Sequence, residues 1–313
     1  MKPRVLQNSR MLPAVEAELL EAFDLHPLWK ETDPAGFLAR HGAEFTGVVT
    51  GSMTGASGAL MRALPSLQVI ANYGVGYDKI DLDAARQRGV AVSNTPDVLT
   101  DCVADAAFGL VLDVARGLSA ADRFVRRGDW RPGVMFPLSR RVTGKRLGII
   151  GLGRIGQAIA ERSTGFSMEV RYHSRRPVPD ARWTYEKSLS SLAEWSDFLV
   201  VACAGGAATH HLVSADVLSA LGLKGFLVNI ARGSVVDEHA LVAALVEKRI
   251  AGAGLDVFEH EPSVPKELLA LDNVVLLPHM ASGTHETRMA MGRLMIDNLR
   301  SWYAHGKLLT PVP

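Results

Sequence analysis

Arg146-Leu147-Gly148-Ile149-Ile150-Gly151-Leu152-Gly153-Arg154-Ile155-Gly156 is the stretch whose reading decides the fold. An apolar run of strand length enters a G-x-G-x-x-G turn, and helical spacing continues over 154–162. Gly151 permits the tight turn, Gly153 lets the backbone approach a pyrophosphate, and Gly156 lets helix and strand pack closely. Arg154 and Ile155 open the helix, whose unpaired amides face phosphate charge. Glycines at this spacing alone are weak evidence. Strand, glycines, helix and second strand in this order specify a dinucleotide-binding unit.

The second strand decides which dinucleotide. An NAD site carries Asp or Glu about 20 residues on, to hold the ribose hydroxyls. Here the chain reads Tyr172-His173-Ser174-Arg175-Arg176, and Ser174 stands 18 residues after Gly156. A hydroxyl beside two guanidinium groups suits a 2′-phosphate, to which Arg makes charge-assisted, bidentate bonds. NADPH is the expected cofactor.

Working outward, apolar strand-length runs alternate with helical patterns. Downstream strands are expected at 169–172, 198–202, 225–230, 252–257 and 274–277, and helices at 190–194, 214–220, 237–247 and 286–303. Upstream, strands are expected at 45–50, 67–72 and 90–93, and helices at 14–23, 58–64 and 82–87. Strands separated by helices imply parallel pairing, hence α/β architecture. The helical stretch 100–118 is more apolar than one core-facing stripe needs, so it is expected to pack against another domain or subunit. Residues 123–143, with Gly128, Pro132, Gly133 and Pro137, read as an irregular arm. The last helix lies beyond the second sheet and could return to the first domain.

Composition sets the limits. A chain of 313 residues is about twice the usual domain length. Hydrophobic residues at 48% and charged residues at 21% fit an ordinary globular protein rather than a disordered one. With 34 basic against 33 acidic side chains, the formal charge is +1, which gives no global field for a nucleic acid. Arg123, Arg126 and Arg127 are read as solvated or dimer-facing. No apolar run reaches the ~18 residues of a membrane helix. Two distant cysteines, Cys102 and Cys203, cannot make a disulfide framework, and Cys102 reads as a small buried hydrophobe. A cytoplasmic location is expected. His210-His211 lacks further ligand-type residues at metal spacing, so no metal site is expected.

Three further residues each follow an apolar strand of the second series: Arg232, Glu261 and His279. The C-terminal edge of such a sheet is where ligands bind. Arg can clamp a carboxylate while polarising an adjacent carbonyl. An imidazole within reach of a carboxylate has its charged form favoured and can donate a proton. Spacing alone does not bring the three together.

With these motifs in view, the chain resembles the D-isomer-specific 2-hydroxyacid dehydrogenases, most closely the glyoxylate/hydroxypyruvate reductase group. The resemblance runs from Gly74-Val75-Gly76-Tyr77-Asp78-Lys79-Ile80-Asp81 through the Gly151 turn to Pro278-His279-Met280-Ala281-Ser282. It implies that Arg232 binds the substrate carboxylate and carbonyl, that Glu261 tunes His279, and that His279 is the general acid. It also implies that the amides of Val75 and Gly76 hold the carboxylate and that Asp256 bonds the nicotinamide carboxamide. Thr100 would then lie near the cofactor phosphates, and Ser52 and Met53 near the substrate side chain. The implied architecture is a Rossmann-type doubly wound parallel sheet, residues 98–286, clasped by a flavodoxin-like α/β substrate domain, residues 1–97 with 287–313. Homodimers are usual in the family; Trp130 could reach a partner subunit's cleft, but ordinary packing within the arm is the expected reading. The expected activity is NADPH-dependent reduction of small 2-oxo acids. Alternatives are reduction of bulkier 2-oxo acids such as aryl pyruvates, and a non-catalytic dinucleotide-sensing role. One departure stands out: Cys203-Ala204-Gly205-Gly206 occupies a position where relatives often carry Pro-Leu-Thr.

Overall fold

The computed structural model describes residues 2–312. The chain divides into two units, one formed by residues up to Leu99 and from Gly283 onward, the other by Thr100–Ser282.

The first unit begins with β1 (Arg4–Gln7), α1 (Pro13–Ala22), β2 (Asp24–Pro27), α2 (Pro34–His41) and β3 (Gly47–Gly51). It continues through α3 (Gly58–Arg62), β4 (Val69–Tyr73), α4 (Leu82–Gln87) and β5 (Ala91–Ser93). Its five strands are all parallel, in the order β2-β1-β3-β4-β5. That is the flavodoxin-like order of a doubly wound sheet. Both faces of β3 and β4 are buried, which is why these strands read as continuous apolar runs. The short helices start where side chains cap them: Asp33, Ser57 and Asp81 accept the N–H groups of Gly36, Leu60 and Ala84.

The second unit opens with α5 (Thr100–Arg116), α6 (Leu118–Arg126), β6 (Arg146–Ile150), α7 (Arg154–Ser163) and β7 (Glu169–His173). Then follow β8 (Thr184–Tyr185), α8 (Leu189–Trp195), β9 (Phe198–Val201), α9 (Ala215–Leu221) and β10 (Phe226–Asn229). The series closes with α10 (Glu238–Val246), β11 (Gly252–Leu255), α11 (Lys266–Leu269) and β12 (Val274–Leu276). Its seven strands run parallel in the order β12-β11-β10-β9-β6-β7-β8, the Rossmann order with one strand added. The strand order reverses between β6 and β9, and there the glycine turn lies. The chain then returns to the first unit as α12 (His285–His305), which packs on β4 and α1. Tyr303 hydrogen-bonds Thr46 at 3.0 Å, and Tyr73 donates to the Arg288 carbonyl at 2.9 Å.

Several expectations need correction. The helix beginning at Thr100 ends at Arg116, because Gly117 adopts a left-handed conformation (φ 63°) that redirects the chain. A second helix, α6, then occupies 118–126, so the irregular arm starts only after it. The apolar surplus of α5 is used within its own unit: the sheet strands β10, β11 and β12 cover one side and α7 another. Its exposed positions reduce to a stripe of Asp101, Asp105, Gly109 and Arg116. Cys102, expected buried, is half-buried. Elements β2, α2 and β8 were absent from the sequence reading. Asp24-Leu25-His26-Pro27 has too few apolar residues to signal a strand, and it pairs at the sheet edge. His26 stacks on Phe37 of α2 at 4.2 Å, a contact that periodicity does not announce.

Candidate active site

At the C-terminal edge of the second unit's sheet, the loops after β6, β7, β9, β10, β11 and β12 carry residues singled out above. Gly151 has φ 94° and donates its N–H to the His173 carbonyl at 2.8 Å. A Cβ at Gly151 would sit 2.6 Å from Cys203 Cα, and one at Gly156 would sit 2.0 Å from the Gly151 oxygen. Both glycines are therefore sterically required. Gly153 differs: it precedes α7, is exposed, and a Cβ there would meet nothing within 4 Å. The open space above Gly153, at the start of a ten-residue helix, fits a phosphate group. Arg154 is exposed and Ile155 half-buried beside it.

The residues that follow β7, Ser174-Arg175-Arg176, include no carboxylate. Ser174 donates its hydroxyl to the Arg176 carbonyl at 2.6 Å, closing a turn that projects Arg175 and Arg176 into solvent. Among the described residues no acidic side chain pairs with either guanidinium. Thr100 begins α5, beside Asp101, which with Asp105 holds Arg162 of α7.

His279 and Glu261 meet. His279 Nδ1 lies 2.8 Å from Glu261 Oε2, and the second carboxylate oxygen accepts the Phe258 N–H at 3.1 Å. Burial alone would raise the Glu261 carboxyl. The hydrogen bond and charge of His279, the Phe258 amide and the Arg232 charge outweigh it and hold Glu261 below the usual carboxylate range. Arg232 thus acts on the same pair. Its backbone is braced by buried Asn229, which donates to the Arg232 carbonyl at 3.0 Å and accepts the Ala231 N–H at 3.1 Å. The loop Cys203–Gly206 packs against the Arg232 side chain. A Cβ on Gly205 would stand 2.6 Å from Arg232 Cγ, so the glycine makes room for the arginine stem. Burial pushes the neighbouring Cys203 thiol up to about 11, so it stays protonated near neutrality.

Asp256 was assigned by resemblance to the nicotinamide, and the structure gives it a second task. Its two oxygens accept the N–H groups of Met280 and Ala281 at 2.7 and 2.9 Å, and its carbonyl accepts the His279 N–H at 2.8 Å. His279 itself sits at φ 53°, a strained region for a non-glycine residue. Buried Asp256 holds that backbone in place. Burial raises its carboxyl, against the pull of the two amides and of His279. Asp256→Asn turns an NH2 group toward one of those amides. We expect a stability loss of about 1–3 kcal/mol, read from urea unfolding. Unchanged unfolding would remove this bracing role.

In the first unit, Val75 and Gly76 lie half-buried after β4. Two asparagines that the sequence reading passed over shape this loop. Buried Asn72 donates to the carbonyls of Gly74 and Gly76 at 3.0 and 2.8 Å, and Asn94 donates to that of Val75 at 2.8 Å. These bonds fix the carbonyls of the loop that holds Val75 and Gly76. The only sequence signal was Asn at the end of an otherwise apolar strand. Ser52 packs against Gly74, where a Cβ would meet its hydroxyl, and Met53 is exposed.

A doubly wound sheet with a glycine cradle and an imidazole–carboxylate pair on one edge defines a nucleotide-dependent oxidoreductase of the Rossmann class. Residues 108–281 match the family model described as D-isomer specific 2-hydroxyacid dehydrogenase, NAD binding domain. The chain is 48% identical over 308 residues to hydroxyphenylpyruvate reductase of Plectranthus scutellarioides, covering 98% of each. It is 47% identical over 308 residues to a glyoxylate/hydroxypyruvate reductase A of Arabidopsis thaliana, again covering 98% of each. A solved NADPH-dependent glyoxylate/hydroxypyruvate reductase from Sinorhizobium meliloti, in complex with NADP and malonate, superposes with a TM-score of 0.92. That structure is 45% identical, and the match covers 100% of this chain and 97% of that one. The chain belongs to the D-isomer-specific 2-hydroxyacid dehydrogenase family. It is an oxidoreductase that works with a nicotinamide dinucleotide on 2-oxo or 2-hydroxy acids.

Proposed function

We propose that this enzyme reduces small 2-oxo acids, glyoxylate and hydroxypyruvate, to glycolate and D-glycerate with NADPH. The observation that carries this reading is the 2.8 Å contact between His279 and Glu261 on the sheet edge that also bears Arg232 and the glycine turn. When bound, the reduced nicotinamide supplies the hydride. Gly151, Gly153, Arg154, Ile155, Gly156 and Thr100 would hold its phosphates, and Asp256 would bond its carboxamide. Ser174, Arg175 and Arg176 hold the 2′-phosphate. Arg232 binds the substrate carboxylate and polarises the carbonyl. With Nδ1 engaged by Glu261, His279 presents Nε2 as the proton donor to the oxygen that gains charge. Val75 and Gly76 offer amides to a carboxylate, and Ser52 and Met53 border that loop.

Large apolar side chains at Leu118, Val125, Trp130, Met135 and Leu138 are exposed, Trp130 to 72%. Such exposure supports a homodimer formed through α6 and the arm. Arg123 and Arg126 of α6 pair with Asp272 and Asp122, and Arg127 at the start of the arm pairs with Asp129, so these three cations are each matched by an acid. Among the described residues no helix is long and apolar enough to cross a membrane. Cys102 and Cys203 form no disulfide, which fits a reducing, cytoplasmic compartment.

A second reading, reduction of aryl pyruvates, is supported by the 48% identity to hydroxyphenylpyruvate reductase. Steady-state rates with glyoxylate, hydroxypyruvate and 4-hydroxyphenylpyruvate, each with NADPH and NADH, separate the two. The first reading expects the highest kcat/KM for the small acids with NADPH. A clear preference for the aryl acid would replace it with the second.

A further inference from the structure

Apart from His279 and Glu261, the fold assembles a second cluster of imidazole and carboxylate side chains. His210 and His211 lie in the loop between β9 and α9, and Glu259 lies after β11. His211 Nε2 is 2.9 Å from Glu259 Oε1, and His210 Nε2 is 3.9 Å from the same oxygen. The two imidazoles stack at 3.9 Å, and one ligand atom from each of the three residues lies within 4.8 Å of the others. The sequence expectation that the histidine pair lacks a third ligand is therefore corrected: Glu259, 48 positions on, is brought to it by the fold.

We propose that His210, His211 and Glu259 form a binding site for a divalent transition-metal ion of the zinc class. A tetrahedral zinc ion with bonds of about 2.0–2.1 Å spaces its ligand atoms about 3.3 Å apart. The separations here bracket that spacing, so sub-ångström to ångström side-chain movements bring the three onto one ion. Two imidazole nitrogens and one carboxylate oxygen suit zinc, cobalt or nickel rather than magnesium or calcium. The backbone is prepared on both sides. His211 adopts φ 50°, uncommon for a non-glycine residue, while its N–H donates to the Ser234 carbonyl at 2.8 Å. The Glu259 N–H is taken by the Glu238 carboxylate at 3.0 Å. Two of the three ligands thus stand on held backbone, and His210, with a side chain 58% exposed, is free to close on the ion. An ion there ties the loop after β9 to the loop after β11.

The test uses the untagged full-length protein, stripped with chelator and titrated with zinc chloride by calorimetry. Cobalt chloride is titrated in parallel and followed by its visible absorption. The expected result is one ion per chain, with tetrahedral cobalt bands and a metal-dependent rise in melting temperature. Glu259→Gln and His211→Ala should each weaken binding at least about tenfold. His210→Ala, the most exposed position, guards against loss of fold and should weaken binding while leaving the metal-free melting temperature unchanged. Absence of stoichiometric binding to the parent protein overturns the proposal. So does equal affinity in the parent and all three variants.

Discussion

His279→Ala is expected to lower kcat by about 100- to 10,000-fold, the range that a positioned general acid supplies. The dissociation constant for NADPH should stay within about threefold of the parent value, because the glycine cradle is built by β6 and α7. This division follows from the geometry. Nδ1 of His279 is engaged by Glu261 at 2.8 Å, whereas the glycine turn lies after β6. The left-handed backbone at His279 introduces a separate effect, since alanine tolerates φ 53° less well than some residues. His279→Asn controls for it, because asparagine is enriched in that region. Both variants should lose turnover alike, while the asparagine variant melts closer to the parent. Near-normal turnover in either one would take the proton-donor role away from His279.

The second large effect concerns cofactor choice. Arg175→Ala combined with Arg176→Ala should raise the NADPH dissociation constant about 30-fold or more, with NADH changed by less than about threefold. Two charge-assisted bonds to a phosphate support a loss of about 2 kcal/mol even at an exposed turn. Each 1.4 kcal/mol is a factor of ten. The proposed preference for NADPH should also shrink as salt rises, since both guanidinium groups are solvent-exposed and screened. Equal losses for the two cofactors would show that these arginines act on something other than the 2′-phosphate.

The strand and helix order of the second unit was readable because it is written in local terms. The run ending at Ile150, the turn at Gly151 and the helix from Arg154 follow from residues in direct succession. Elements with weak local signals escaped. The edge strand β2 carries a proline and a half-buried histidine, and α6 was missed because the helical stretch was read through Gly117 and closed at 118, where two helices in fact join. Glu261 and His279 could be named as candidates, each after an apolar strand. Their 2.8 Å contact could not be read from the chain. Asn72, Asn94 and Asn229 went unnoticed for a related reason: a buried amide that braces a loop looks in sequence like any other asparagine.

What the sequence alone determined is the βαβ alternation, the glycine-rich turn before α7 and the missing acid after β7, because backbone conformation and helix-end charge depend on neighbours in the chain. The tertiary structure decided which distant side chains meet. It set Glu261 beside His279, Gly205 beneath the Arg232 stem, Asp256 against the two amides that follow His279, and Glu259 against His211. Those meetings depend on parallel strands ending at one edge of a sheet. Strand order and packing, not distance along the chain, bring their loops together.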